Sequence, residues 1–147
     1  MPLSCPVHAN SDDGPRINNI EDWRIHGGPK DGDKQWKDFR SAKELARAWL
    51  RSDSTAMPVE YFELLSRSNE TRGFQPTIGI AEVKIRIDEF GGPRNSDMVV
   101  LGEANKGRIV LAVEAKADES FAEPIAKELL GLSENSNKPE RIDRLVA

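Results

Sequence analysis

The chain has 147 residues, of which 37% are hydrophobic and 31% are charged, and its net charge at pH 7 is −4. This length suffices for one domain with a buried core, and the composition excludes a wholly disordered or membrane-spanning chain. The acidic balance argues against a protein that coats nucleic acid, since such binding needs many Lys and Arg contacts with phosphates. An enzyme that touches one phosphodiester remains compatible, because a metal ion in an acidic pocket supplies positive charge.

The N-terminal segment shows no secretory signal, because no basic stretch followed by an apolar one is present, and we expect a cytoplasmic protein without membrane contact. Residues 1–20 are rich in Ser, Asn, Asp and Pro, which predicts a flexible arm ahead of a single α/β domain over residues 21–147. Cys5 is the only cysteine, which rules out a disulfide within the chain. No pattern of acidic partners surrounds His8 or His26, which lie in separate segments, and we assign neither a metal nor a catalytic role.

Two helices are predicted ahead of the central part of the chain. Ser41 and Glu44 have the spacing of a capping box, and apolar residues recur at helical intervals through residues 42–50. The second helix begins at Pro58, because proline is favoured at the first helical position. Residues 68–77 then predict a loop.

The middle of the chain predicts three strands. Apolar and charged residues alternate over residues 83–88, which is typical of a half-buried strand. Residues 97–102 and 108–116 predict two more strands, joined by a hairpin turn at residues 104–107. The third strand is apolar on both faces up to Glu114, so we expect it to lie centrally and to be covered on both sides.

Helical patterns return near the C-terminus. A second capping box predicts a helix that begins near residue 120, and its signature residues are Ser120 and Glu123. The apolar residues of this helix that we expect to face inward are Ile125, Leu129 and Leu130. A last helix is predicted over residues 139–146, so the order is two helices, a three-stranded antiparallel meander and two helices.

Three charged residues lie at one end of this predicted meander. Glu114 and Lys116 point to the same face, because side chains alternate along a strand. A hairpin loop of two or four residues places Asp97 directly opposite Glu114, with Cβ atoms roughly 5 Å apart. Facing carboxylates repel, and Mg²⁺ with water relieves that repulsion. A loop of three or five residues would turn Asp97 to the other face.

The order of these residues resembles a known signature. Asp97, followed by Glu114-Ala115-Lys116 at the end of the next apolar strand, resembles the D…ExK motif of the PD-(D/E)XK (restriction-endonuclease-like) nuclease superfamily. The predicted order of helices and strands over residues 41–130 resembles the core of that superfamily. The resemblance implies that Asp97 and Glu114 bind Mg²⁺ or Mn²⁺, that the carbonyl of Ala115 adds a ligand, and that Lys116 positions or activates the attacking water.

The resemblance also implies an additional acidic residue from one of the first helices. The candidates are Glu44, Glu60 and Glu63, and we rank Glu63 slightly ahead because it sits in mid-helix and Glu44 is used as a cap. The superfamily core has another strand after its second helix, whereas residues 132–147 predict a loop and a helix. This strand is absent, is supplied by a partner chain in a homodimer, or lies outside the 147 residues.

Two functions follow from these patterns. The first is Mg²⁺-dependent hydrolysis of a phosphodiester, with nucleic acid as the substrate. The alternative is a non-catalytic nuclease-fold module for binding or assembly, in which the three charges are solvated at the strand ends. Four basic residues of the strands could contact a phosphate backbone, although a solvated strand face is favoured: Lys84, Arg86, Lys106 and Arg108.

Overall fold

The computed structural model describes residues 3–51, 54–86, 89–90, 92–118, 124–130, 132 and 136–146. This part of the chain has a mixed α/β fold of five α-helices and two sheets. The helices are α1 (Ile20–His26), α2 (Ser41–Trp49), α3 (Val59–Leu65), α4 (Ile125–Leu130) and α5 (Lys138–Val146). The strands are β1 (Leu3–Ser4), β2 (Val7–Ala9), β3 (Arg16–Ile17), β4 (Ala56–Met57), β5 (Gln75–Ile85), β6 (Arg94–Ala104) and β7 (Gly107–Val113).

The larger sheet has five strands in the order β3-β2-β5-β6-β7, and β1 pairs with β4 in a separate two-stranded sheet. Strands β5, β6 and β7 form the predicted antiparallel meander, whereas β2 pairs with β5 in parallel. The mixed α/β class and the order of two helices, three strands and two helices are therefore confirmed. Strands β1 to β3 and helix α1 precede them, and strand β4 lies between α2 and α3; none of these was predicted.

Residues 3–17 belong to the sheets, although their composition predicts a flexible arm. Cys5, Val7 and Ala9 are fully buried, and the backbone N–H of Gly79 donates to the carbonyl of Pro6 at 2.8 Å. The small and apolar residues recur at every second position, which is the period of a strand with one buried face. The polar residues that follow Ala9 form the turn that joins β2 to β3.

The hairpin between β6 and β7 has a two-residue loop, Asn105-Lys106, because Ala104 pairs with Gly107. Gly107 has a φ of +131°, which glycine adopts without the steric cost of a Cβ atom. The pairing continues without a shift to Met98 and Val113. The even-numbered loop predicted from the sequence is confirmed, and with it the register that directs Asp97 towards Glu114.

Strand β7 lies at an edge of the sheet, so its predicted central position is wrong. Val110 is 66% exposed, and the helix expected to cover the sheet turns two apolar residues outward, with Ile125 56% and Leu130 88% exposed. An apolar run indicates that a strand favours burial, but it does not indicate whether another element of the chain packs against both faces of that strand. The capping residues Ser120 and Glu123 and the side chain of Leu129 lie outside the described residues.

Helix α2 packs its apolar face into the core, where Leu45, Ala46 and Trp49 are buried. The helix begins at Ser41, so Arg40 rather than Ser41 is its N-cap residue. The carboxylate of Glu44 accepts from the backbone N–H of Phe39 at 3.0 Å, which precedes the N-cap residue, so this contact differs from the predicted capping box. Within the described residues, none of the helices combines the length and the apolar character needed to cross a bilayer.

Candidate functional site

Three carboxylates lie in one row across the meander, on Glu82 of β5, on Asp97 of β6 and on Glu114 just after β7. Residues that face each other across neighbouring strands share one face of the sheet. Between β5 and β6, Ala81 pairs with Met98 and Val83 pairs with Ser96, which places Glu82 opposite Asp97. Between β6 and β7, Met98 pairs with Val113, which places the next residues, Asp97 and Glu114, opposite each other. The row brings together the two predicted metal ligands and an acid that was not predicted.

Asp97 links β6 to the segment that follows β7. Its Oδ2 atom accepts a hydrogen bond from the backbone N–H of Ala115 at 2.7 Å. Strand β7 ends at Val113, so this carboxylate takes the place of a ladder partner for the next part of the chain. The bond holds residues 114–116 beside the start of β6, where the predicted site requires them.

Lys116 forms an ion pair with Glu114, with 3.2 Å between Nζ and Oε1. The side chains of Lys116 and Glu114 are 36% and 59% exposed. Ion pairs at this exposure contribute about 0–1 kcal/mol to stability, so little free energy is needed to redirect either group. The predicted Glu and Lys of the signature are therefore adjacent in the structure, and both reach solvent.

Glu82 and Asp97 are the half-buried members of the row, and the pKa of Glu82 is perturbed. Burial raises the pKa of the Glu82 carboxyl, the negative charges of Asp97 and Glu114 raise it further, and a hydrogen bond from Asn95 opposes them. That bond runs from Nδ2 of Asn95 to Oε2 of Glu82 at 2.6 Å. Glu82 has a φ of +54°, a conformation that is unfavourable for L residues and that glycine adopts without this cost. Strained backbone and perturbed carboxylates are features that recur at functional sites.

A cavity of about 520 Å³ opens beside the row. Strand residues of one sheet face line it, namely Glu82 and Lys84 from β5 and Asn95 and Asp97 from β6. Residues of the first turn of α2 and of the loop after α1, including Lys30, also line it. Its volume lies within the usual range for ligand sites. We call it the acidic cavity, because Glu82 and Asp97 of the row and Asp31 line it.

The other acids proposed from the sequence lie elsewhere. Glu63 is exposed on α3, Glu60 pairs with Arg51 at 2.6 Å, and Glu44 pairs with Arg47 at 2.7 Å. Among the described residues that line the acidic cavity, none of these three glutamates is present. In this geometry Glu82, and not Glu63, is the further acid that lies near Asp97 and Glu114. In the sequence, the feature that could have pointed to Glu82 is its position as an acidic residue directly after the apolar run of residues 78–81.

Two of the four basic strand residues have defined positions relative to the site. Lys84 lines the acidic cavity, whereas Lys106 pairs with Glu70 at 3.2 Å beside the hairpin. Arg86 and Arg108 are exposed. Of the four, Lys84 is thus placed to meet a ligand that binds at the carboxylate row.

The carboxylates provide oxygen donors, which hard divalent cations prefer. Within the described ranges, no group of three or more His, Cys, Asp and Glu side chains is close enough to hold a metal ion on its own. Magnesium usually takes one or two carboxylates from a protein and completes its shell with water and substrate oxygens. The pair of Asp97 and Glu114 is the set that fits this requirement.

The fold and this site together define a mixed α/β protein with a row of carboxylates at one end of an antiparallel meander. The chain belongs to the family described as Domain of unknown function (DUF6946), whose family model matches residues 16–147. No curated protein and no solved structure matches the chain.

Proposed function

We propose that this DUF6946 protein is a Mg²⁺-dependent phosphodiesterase of the nuclease type, acting on nucleic acid at the acidic cavity. In this proposal β5, β6 and β7, with α2 before and α4 after them, form a restriction-endonuclease-like core. Asp97 and Glu114 bind the metal, together with the carbonyl of Ala115, and Glu82 is the additional acid. Mn²⁺ is an alternative ion with the same preference for oxygen donors.

The row of three carboxylates is the observation that carries this proposal. Each carboxylate raises the free energy of its neighbours, since like charges directly opposite in a sheet are destabilising. The raised pKa of Glu82 has this repulsion among its causes. A fold keeps such an arrangement at a cost in stability, and a bound divalent cation removes that cost.

The reaction would divide among the residues as follows. Asp97 and Glu114 would hold a magnesium ion, which when bound would acidify a water and neutralise charge on the phosphate oxygens. Lys116, which is paired with Glu114, can donate to the attacking water or to a phosphate oxygen. Lys84 stands on the same face as Glu82 and adds positive charge where the nucleic acid backbone would enter. Asn95 holds the carboxylate of Glu82 in place.

A non-catalytic role is the second candidate, and one contact favours it. The carboxylate of Asp97 already accepts from Ala115, which is a structural function at the end of a β-ladder. In that case the protein uses the fold for binding or assembly, and the pair of Glu114 and Lys116 solvates the strand end. The two candidates differ in what they require of Asp97. The nuclease needs its negative charge, whereas the structural role needs only its hydrogen bond from Ala115.

Asp97→Asn separates the two candidates. The amide oxygen of asparagine can still accept from Ala115, whereas the negative charge is lost. We would titrate Mg²⁺ and Mn²⁺ by calorimetry into the wild type, Asp97→Asn and Glu63→Gln. Glu63→Gln is the matched control, since it removes one exposed carboxylate far from the row. Cleavage of labelled DNA and RNA would be followed in the same variants and in Lys116→Ala.

The nuclease proposal expects metal binding in the wild type and in Glu63→Gln, and its loss in Asp97→Asn. It further expects Lys116→Ala to keep the metal and to lose cleavage by at least a hundredfold, the usual range for a positioned proton-transfer group. A wild type that neither binds metal at millimolar concentration nor cleaves either nucleic acid would overturn it. That result would favour the binding or assembly module.

A further inference from the structure

Backbone strain is concentrated around the acidic cavity. Among the described residues, three residues other than glycine have a positive φ, namely Asn10, Phe39 and Glu82. Asn10 and Glu82 line the acidic cavity. Phe39 lies in the chain between Gln35 and Ser41, which both line it. All three left-handed residues are thus on or beside one cavity, and strain of this kind clusters at functional sites.

Phe39 is the least expected of these three residues in its conformation. Its φ is +66°. The backbone N–H of Arg40 donates to the carbonyl of Lys37 at 3.1 Å, which closes a turn with Phe39 at the third position. A positive φ at that position normally belongs to glycine or asparagine, because a Cβ atom makes it sterically unfavourable. The carboxylate of Glu44 accepts from the backbone N–H of Phe39 at 3.0 Å and helps to hold the turn.

Packing does not explain a phenylalanine at this turn. Phe39 is 77% exposed, more than any other aromatic residue in the described part of the chain. Glycine would remove both the steric cost and the exposed apolar surface. The protein therefore keeps a strained, exposed ring where the fold alone favours glycine. An exposed ring presents a face on which a flat ligand, such as a nucleobase, can stack.

The segment that leads to Phe39 carries an excess of positive charge. Residues 30–39 contain three aspartates and three lysines. Asp33 pairs with Arg24 at 2.9 Å, and Asp38 pairs with Lys43 at 2.8 Å, so two of the aspartates are neutralised from outside the segment. The lysines are exposed, and none of them forms an ion pair with a described residue: Lys30, Lys34 and Lys37.

An exposed ring beside lysines is the combination that binds single-stranded nucleic acid. Bases of any identity stack on the ring, and lysines contact the phosphates. In a duplex the bases already stack on one another, so only an unpaired base can take this place. Lys30 also lines the acidic cavity, so a strand bound along this segment leads to the carboxylate row. Three lysines suit a site of a few nucleotides, which agrees with the net charge of −4.

We propose that residues 30–39 bind single-stranded nucleic acid, with one unpaired base stacked on Phe39 and with phosphates beside the three lysines. We call these residues the stacking loop. The inference rests on the proposed function, since it names the class of nucleic acid that the acidic cavity receives. A protein partner would also cover an exposed ring, but the lysines favour a polyanion.

Fluorescence anisotropy tests the stacking. A labelled thymidine oligonucleotide of about ten nucleotides and a DNA hairpin with as many phosphates would be titrated with protein in EDTA. The variants are Phe39→Ala, Phe39→Trp and Leu64→Ala, the last a control at an exposed apolar residue of α3. We expect the single strand to bind more tightly than the hairpin. Phe39→Ala should weaken its binding at least fivefold, whereas Phe39→Trp and Leu64→Ala should keep it.

The salt dependence of binding tests the lysines. Three phosphate contacts with a single strand give a slope of about −2 in a plot of log binding constant against log salt concentration. Lys34→Gln should reduce the magnitude of this slope by about 0.7. Lys106→Gln is the matched control, because Lys106 lies in the β6–β7 turn, at the far end of β6 from Asp97, and it should leave the slope unchanged.

Phe39→Gly separates binding from folding. It removes the ring and the steric cost together, so it should raise the midpoint of urea denaturation and weaken oligonucleotide binding as Phe39→Ala does. A lower midpoint would show that the ring supports the fold, and would overturn the proposal. Equal binding of the hairpin and the single strand, or unchanged binding in Phe39→Ala, would also overturn it.

The assay also distinguishes this inference from the proposed function. EDTA removes divalent cations, so the binding measured does not require a metal at Asp97 and Glu114. Magnesium binding with cleavage of duplex DNA, but without oligonucleotide binding at the stacking loop, would overturn this inference alone. Oligonucleotide binding that depends on Phe39, in a protein that binds no metal, would support the stacking loop and overturn the nuclease.

Discussion

Replacing Glu82 by glutamine removes one negative charge from the carboxylate row and keeps the hydrogen bond from Asn95. Glutamine keeps an oxygen that can accept from Asn95, whose Nδ2 lies 2.6 Å from Oε2 of Glu82. The negative charge is lost, and with it the repulsion from Asp97 and Glu114. We therefore expect Glu82→Gln to be more stable than the wild type at neutral pH, in the absence of metal.

The size of the effect follows from the spacing of the strands. Two unit charges roughly 5 Å apart interact by about 0.8 kcal/mol in water and by about 3 kcal/mol at an effective dielectric constant of about 20. The row faces an open cavity, and Lys116 lies beside Glu114 at 3.2 Å, so screening is substantial. We expect a gain of about 1 kcal/mol in the free energy of unfolding.

The gain should depend on pH in one direction. The pKa of Glu82 is raised in the folded protein, whereas the unfolded chain titrates near the usual value of about 4.3. As the pH rises from that value through the folded-state pKa, the folded wild type binds more protons than the unfolded chain and loses stability. Glu82→Gln has no such loss, so its advantage should grow as the pH rises from about 4 to about 8.

Urea denaturation at these pH values, for the wild type, Glu82→Gln and Glu63→Gln, measures the effect. Glu63→Gln makes the same chemical change at an exposed helix position, where a shift within about 0.5 kcal/mol is expected. If Glu82→Gln were less stable than the wild type at pH 8, the carboxylate of Glu82 would stabilise the fold, and the argument from charge repulsion would be refuted. A gain of equal size at both pH values would show that charge is not its cause.

Three further predictions concern packing and exposure. Gly102→Ala places a Cβ atom 2.3 Å from the backbone oxygen of Gln75, so it should destabilise the fold by about 1–3 kcal/mol in a urea titration. Val110→Lys replaces a side chain that is 66% exposed on β7, and it should change the free energy of unfolding by no more than about 0.5 kcal/mol. Burial raises the pKa of the Cys5 thiol to about 12, so a disulfide reagent at mildly alkaline pH should modify it only after unfolding.

Each of these has a matched comparison. Gly92→Ala has no atom within 4 Å of its added Cβ and should be neutral, whereas a similar loss in both glycine variants would contradict the packing argument. Val100→Lys, at a fully buried position of β6, should prevent folding. Unfolding by Val110→Lys would mean that β7 is covered. Rapid modification of Cys5 in native protein would show that strand β2 and its neighbours open readily.

The pair of Asp97 and Glu114 was predictable from the sequence because the connection between β6 and β7 is local. An Asn-Lys turn followed by glycine allows a two-residue loop, and the loop length sets which residues of the two strands face each other. Every later pair follows from that first pair as long as no bulge intervenes. The length of the hairpin loop thus determines the strand register from the turn to Asp97 and Glu114.

Glu82 could not be placed in the same way. Residues 86–93 connect β5 to β6, and a connection of that length is compatible with several registers. The positive φ of Glu82 is also invisible in a pattern of apolar and polar residues. Its position opposite Asp97 depends on packing across the whole sheet, including the close approach of Gly79 to Met98.

The amino-acid sequence by itself determined the local elements of this protein: helix α2, the β6–β7 hairpin and the adjacency of Asp97 and Glu114, since neighbouring residues and one short turn specify them. Only the tertiary structure decided that β7 is an edge strand, that residues 3–17 join the sheets and that Glu82 completes the carboxylate row. These features depend on pairings between segments far apart in the chain. Such pairings are selected by the free energy of the assembled core, and no local pattern encodes them.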